Sequence, residues 1–149
     1  MFPGFEKRLR RVSWGIGGPG DLAENTESIN TPDRPSWLTA VRAAESRKAQ
    51  NVRVLDLRGV TSFADYFIIC NGTNPRQIQA ISDAVGEELE KEGERAVSIE
   101  GYQNAEWILV DYGDFLVHIF SEKSREYYQL ERLWRHAKDV EIPAPEPAA

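Results

Sequence analysis

Ala105-Glu-Trp-Ile-Leu-Val-Asp-Tyr112 and Phe115-Leu-Val-His-Ile-Phe120, separated only by Gly113-Asp114, decide the fold. Two apolar, β-prone runs joined by a two-residue, glycine-containing loop predict a tight antiparallel hairpin with positive φ at Gly113. In that register Tyr112 faces Phe115, Val110 faces Val117 and Leu109 faces His118, and the alternation sorts the side chains onto two faces. One face carries Ile108, Val110, Val117 and Ile119, an aliphatic set suited to packing under helices. The other carries Trp107, Leu109, Asp111, Leu116, His118 and Phe120. Large aromatics beside an acid and an imidazole have the composition of an interface hot spot. The competing expectation is that a helix covers this face as well, with His118 hydrogen-bonded inside.

Working outward, Tyr66-Phe-Ile-Ile-Cys70 is a continuous run of β-branched and aromatic residues, the pattern of a central strand covered on both faces. Asn74 as N-cap, Pro75 at the first helical position and Gln77 three residues after the cap predict a helix start. Ile78, Ile81, Val85 and Leu89 form its buried stripe, Glu87, Glu88, Glu90, Glu92 and Glu94 its solvated side, and Gly93 its end. Arg95 to Glu100 reads as a short strand, so the strand–helix–strand order predicts a right-handed crossover with parallel pairing. Upstream, Ser36 is expected to cap a helix presenting Trp37, Leu38, Val41, Ala44 and Ala49 and stopping near Asn51, followed by a strand from Val52 to Leu57. Downstream, a helix from Glu122 to Trp134 is expected to line up Tyr127, Leu130, Leu133 and Trp134. The fold class is therefore α/β, a mixed five-stranded sheet with helices packed on it.

The 149 residues, 41% hydrophobic and 28% charged, suit one globular domain. Eighteen Lys and Arg against 24 Asp and Glu leave a net charge of -6, which disfavours holding nucleic acid through phosphate neutralisation. Residues 1–36 hold five basic and five acidic side chains, so the rest of the chain carries the whole imbalance. The basic cluster Lys7 to Arg11 is followed by Gly15-Ile-Gly-Gly-Pro-Gly20 without amphipathic period, so 1–36 reads as a disordered leader. Residues 37–138 form the domain, and 139–149, with three prolines from Ile142 onward, a disordered Pro/Ala-rich tail. A single cysteine, Cys70, excludes an intrachain disulfide. No apolar run approaches bilayer length and no signal-peptide pattern opens the chain, so a soluble, cytoplasmic protein is expected, with no membrane partner.

Chemistry-bearing motifs are sparse. His118, His136 and Cys70 are widely separated, without metal-ligand spacing, so no metal is expected. Cys70 ends an apolar run and reads as a small buried hydrophobe rather than a nucleophile. Gly72-Thr73, between a strand and a helix start, has the shape that holds phosphate but lacks P-loop glycines and lysine. The same arrangement resembles nucleotidyltransferases, whose Gly-Ser pair is followed by a metal-holding Asp-x-Asp; no Asp-x-Asp occurs here. No catalytic residues and no cofactor are assigned. The enzyme alternative, a divergent nucleotidyltransferase, would have to use Gly72-Thr73 with Asp65, Asp111 and Asp114.

Taken together, Ala64-Asp-Tyr-Phe-Ile-Ile-Cys-Asn-Gly-Thr73, Arg76-Gln77, Glu100-Gly-Tyr102, Trp107-Ile-Leu-Val-Asp-Tyr-Gly-Asp114, Val117-His118 and Tyr128-Gln-Leu-Glu-Arg-Leu-Trp134 closely resemble the ribosomal silencing factor, or Iojap-related, family. The resemblance spans about Trp37 to Lys138. It implies a nucleotidyltransferase-like topology without the catalytic aspartates. It further implies a translation repressor that binds the large ribosomal subunit through ribosomal protein fourteen and blocks joining of the small subunit. Organellar relatives imply a role in large-subunit assembly as the alternative. Homodimerisation is a further expectation of the resemblance, and direct nucleic-acid binding is not expected. On this reading the partner-binding residues are Gly101, Tyr102, Trp107, Leu109, Asp111 and His118, with Trp107 as anchor.

Overall fold

The structure, a computed structural model, describes residues 34–144. The hairpin forms as its sequence requires. Strands β4 (Trp107–Asp111) and β5 (Phe115–Ser121) pair antiparallel with Val110 opposite Val117 and Leu109 opposite His118. Gly113 turns the chain at φ 91°, and the Asp111 carboxylate accepts the Gly113 N–H at 2.8 Å. Strand β2 (Tyr66–Gly72) lies parallel to β5 with Ile68 opposite Val117, so the two runs without alternation sit side by side at the centre. Strand β1 (Gln50–Asp56) flanks β2 antiparallel, and β3 (Ser98–Glu100) flanks β4 antiparallel.

The sheet order is β3-β4-β5-β2-β1-β6, six strands rather than the five expected. The extra strand β6 (Lys138–Asp139) pairs with Leu55 and Asp56, and the Val140 N–H donates to the Val54 carbonyl at 2.8 Å. The expected tail thus begins on the sheet: it covers the outer edge of β1, which would otherwise present unpaired backbone. Val140 and Ile142 pack partly against the core. The leader through residue 33 and the tail from residue 145 lie outside the described residues. The crossover expectation needs correction as well. Strand β3 runs parallel to β2 but does not pair with it, because the hairpin inserts between them.

Helices α1 (Ser36–Ser46) and α2 (Pro75–Lys91) cover one face. Asn74 caps α2 as expected, accepting the Gln77 N–H at 2.8 Å. Ile78, Ile81, Val85 and Leu89 are buried with Val41, Ala44, Ile68, Cys70, Ile108, Val110, Val117 and Ile119 in one core. Ser36 does not cap α1: Pro35 holds the cap position, and the Ser36 hydroxyl donates to Glu94 instead. Helix α1 ends at Ser46, short of Asn51, because the chain turns through positive φ at Lys48 and again at Asn51 to enter β1. Gly86 sits inside α2 with nothing within 4 Å of where a Cβ would stand. A helix-interior glycine costs about 1 kcal/mol relative to alanine, and no neighbour of its own chain requires the room.

The opposite face carries a second core of Leu57, Phe63, Phe67, Ile69, Trp107, Leu109, Leu116, Phe120 and Leu130. Its cover is the 57–65 connection and the C-terminal segment. The single helix expected over Glu122–Trp134 is two pieces, α3 (Glu122–Tyr128) and α4 (Leu130–Leu133), broken at Gln129 with φ 48° and ψ 50°. The break sends Leu130 and Trp134 inward and leaves Tyr127 and Leu133 outside, contrary to the expected stripe. Arg125 fastens this cover. Its Nη1 donates to the Asn51 carbonyl at 2.6 Å and to Asn71 Oδ1 at 2.8 Å, and its Nη2 donates to Glu131 at 2.7 Å. Burial pushes the Glu131 carboxyl up, yet the bonds to Arg125 and Arg53 outweigh it and hold the group below the usual carboxylate range.

Arg125→Ala is expected to lower the urea midpoint at unchanged m, a loss on the order of 2–3 kcal/mol, since Glu131 and Asn71 lose a charged donor. The lowered Glu131 pKa contributes stability above the unfolded carboxylate value that disappears as pH falls through the folded value. The stability difference between wild type and Glu131→Gln, measured by urea titration, should therefore shrink on acidification.

Candidate functional site

Strands β4 and β5 bring Trp107, Leu109, Asp111 and His118 together as the sequence predicts, but inside the protein. Trp107 is 5% exposed, His118 is fully buried, and Leu109 and Asp111 are buried with them. The competing expectation of a covered face holds. As placed, these four side chains do not form an open docking surface. The physical reason is that the 57–65 connection and the α3–α4 segment cover this face, where two hydrogen bonds form inside the protein. The Trp107 indole N–H donates to His118 Nδ1 at 3.1 Å, and Asp111 caps the hairpin turn. Phe67 stands edge-on to the imidazole at 4.5 Å, and Phe120 packs on Trp107 at 4.9 Å. Burial pushes the His118 pKa down to about 3, so the ring is neutral and can accept the indole proton.

Gly101 and Tyr102 do not join that cluster. Tyr102 packs on the helix-covered face, with its hydroxyl donating to Asp83 at 3.0 Å and its carbonyl accepting from Gln79 at 2.9 Å. Among the described residues, the exposed aromatic surface is on the α3–α4 segment. Tyr127 is 78% exposed, Leu133 67% and Tyr128 43%. The Tyr128 ring lies 4.7 Å from Trp107 and 4.9 Å from Tyr127, so the exposed pair continues directly from the buried aromatic cluster. Sequence reasoning missed this because helical periodicity carried through Gln129, where the backbone actually turns left-handed.

The parts of the enzyme alternative do not converge. The spot beside Gly72 and Thr73 where a phosphate would sit is filled by Gln77, whose Oε1 accepts the Thr73 N–H at 2.7 Å and the Thr73 hydroxyl at 3.0 Å. A Cβ at Gly72 would meet Ile78 and Gln77 at 3.0 and 3.1 Å. Asp65, Asp111 and Asp114 cluster at the opposite end of β2 and β5, with the Asp65 N–H on the Asp114 carbonyl at 2.7 Å. The seven residues of β2 put roughly 20 Å between the two ends. Cys70 and His118 also cannot cooperate: His118 lies opposite Ile69, the neighbour of Cys70, so the two point to opposite faces. Desolvation raises the Cys70 thiol to about 12, the wrong direction for a nucleophile. Among the described residues no group of three His, Cys, Asp or Glu could hold a metal ion, and no helix is long and apolar enough to cross a membrane.

Comparison with known proteins agrees with this architecture. The family model described as "Ribosomal silencing factor during starvation" matches residues 30–149. A ribosomal silencing factor of Halalkalibacterium halodurans is 40% identical over 103 residues, covering 69% of this chain and 88% of that protein. The chloroplastic protein Iojap of Zea mays is 32% identical over 138 residues, 92% of this chain and 59% of that one. A mouse relative, 29% identical over 63% of this chain and 42% of its own length, is named for mitochondrial assembly of the ribosomal large subunit. A crystal structure from Bacillus halodurans superimposes with TM-score 0.64 at 37% identity, covering 71% of this chain and 96% of that one. Matched by that family model over residues 30–149 and 40% identical to a ribosomal silencing factor over 69% of its length, the chain belongs to the ribosomal silencing factor family.

Proposed function

We propose that this protein binds the large ribosomal subunit through ribosomal protein fourteen and blocks joining of the small subunit by occupying the face where the two would meet. The observation that carries the reading is family membership combined with one exposed aromatic segment, Tyr127-Tyr128, seated directly on the core tryptophan. The mechanism is steric, with no bond made or broken. A rigid domain needs only an anchored patch, and large side chains held by a core beneath them lose little conformational entropy on docking. The net charge of -6 suits a basic ribosomal protein as partner and disfavours lodging on ribosomal RNA. The patch therefore replaces the buried residues as the binding site, with Trp107 as its support from below. The setting is the cytoplasm, where such subunits meet. Assembly of the large subunit is the second reading, favoured by the name of the mouse relative.

Co-sedimentation with purified large subunits, paired with a light-scattering assay of subunit joining, tests both the contact and its consequence. Tyr127→Asp should melt like wild type and bind about 30-fold more weakly, near 2 kcal/mol, with joining restored. Trp107→Glu should instead melt early, because it buries an unpaired carboxylate at a cost of several kcal/mol. A Tyr127→Asp protein that binds and blocks normally would remove the patch from the interface, and loss of self-association in that variant would mark the patch as a contact between copies. Failure of the wild-type protein to block joining while it binds, together with accumulation of precursor particles on depletion, would favour assembly.

A further inference from the structure

A second surface lies on the opposite face of the sheet from the aromatic segment. Between α2 and the edge strand β3 runs a groove of about 360 Å³, floored by Ile99, Tyr102 and Tyr112 and walled on one side by Gly86. Ile99 is 51% exposed and Val97 beside it 63%. Ile99 is opposite Val110, which puts its side chain on the helix side of the sheet, beyond the reach of the helix itself. The rim is acidic: among the described residues Asp83, Glu87, Glu90 and Glu94 line it against a single cation, Arg95, which pairs with Glu90 at 3.5 Å. Gly86 keeps the wall open at the expense of helix stability, although, its own stretch of helix backbone aside, no described residue comes within 4 Å of where its Cβ would stand. An apolar floor, a widened wall and four carboxylates fit a peptide with one apolar side chain flanked by cations.

The chain carries such a peptide. Lys7-Arg-Leu-Arg-Arg11 sets Leu9 among four basic residues, and no part of the function above uses it. The described chain also begins near one end of the groove, where Ser36 meets Glu94. Arg34 donates to Thr39, Thr39 donates to Glu92, and the Ser36 hydroxyl donates to Glu94 on the groove rim. Residues 12–33 number 22, enough chain to reach the full length of α2, about 25 Å at 1.5 Å per residue. We propose that the groove between α2 and β3 is the docking site for Lys7–Arg11 of the same chain, with Leu9 seated against Ile99 and Gly86 and the flanking cations facing the four carboxylates. Docked in cis, the basic arm is engaged by the chain's own acidic helix and is withheld from polyanions. The tether raises its effective concentration, so even a weak contact is populated.

Paramagnetic broadening in the full chain tests the proposal. Cys70 is fully buried, so a thiol-reactive nitroxide goes to an introduced Ser13→Cys. The amide signals of Gly86, Glu87 and Ile99 should then be lost, while those of the α3–α4 segment keep their intensity. The signals should return in 1 M salt, where the Debye length falls to about 3 Å. They should also return in Leu9→Ser, which leaves the described domain untouched, and in Gly86→Leu, which fills the wall and should melt no earlier than wild type. Uniform or absent broadening overturns the proposal, as does broadening that persists in both variants. Broadening that appears only when ¹⁵N-labelled chain is mixed with spin-labelled chain assigns the groove to the arm of a second copy and overturns docking in cis.

Discussion

The parallel pairing of β2 with β5 is the constraint on which the other elements depend. Both strands are apolar at every position from Phe67 to Cys70 and from Phe115 to Val117, so neither can tolerate a wet face, and a layer must cover each side of the sheet. Helices α1 and α2 supply one layer with a regular aliphatic stripe. The other has to be assembled from short pieces, because the chain between β5 and β6 is too brief for a long helix followed by a return to the sheet edge. The left-handed turn at Gln129 is the solution: it bends the segment so that Leu130 and Trp134 reach the core, and Arg125 ties the bend to β1, β2 and Glu131.

That makeshift layer explains why the amphipathic residues of the hairpin are inside. An imidazole fully removed from water is tolerable only when neutral and hydrogen-bonded, and the Trp107 indole supplies the bond. The pair fixes the strand faces against each other in a core otherwise made of interchangeable hydrocarbon. It also sets the platform from which Tyr128, and through it Tyr127, is displayed. An aromatic side chain braced by a buried ring is already ordered before any partner arrives, which lowers the entropic cost of docking. Under the proposed function, stability and recognition meet at Trp107, which supports the core and braces Tyr128 above it.

The groups that the nucleotidyltransferase alternative would use are not brought together by this sheet. The strand–turn–helix at Gly72-Thr73 keeps the backbone shape of an anion site while Gln77 satisfies its donors from within. The carboxylates gather at the far end of the same strands.

Much of this was legible in the sequence. The Gly113-Asp114 loop determined the hairpin and its register, the unbroken run Tyr66–Cys70 determined a central strand, and Asn74-Pro75 determined where α2 begins, because turn, cap and β-propensity signals act within a few residues. Composition and spacing also argued against metal and nucleophilic chemistry, and ordered motifs identified the family. What periodicity cannot report is which of two apolar faces stays dry, since burial depends on the segments that return to cover it. Only the tertiary structure decided that Trp107, Leu109, Asp111 and His118 lie inside, that Gln129 breaks the last helix and exposes Tyr127 and Leu133, and that Lys138–Asp139 closes the edge of β1. Each of these rests on contacts between residues far apart in the chain, where the free energy of covering apolar surface outweighs local preference.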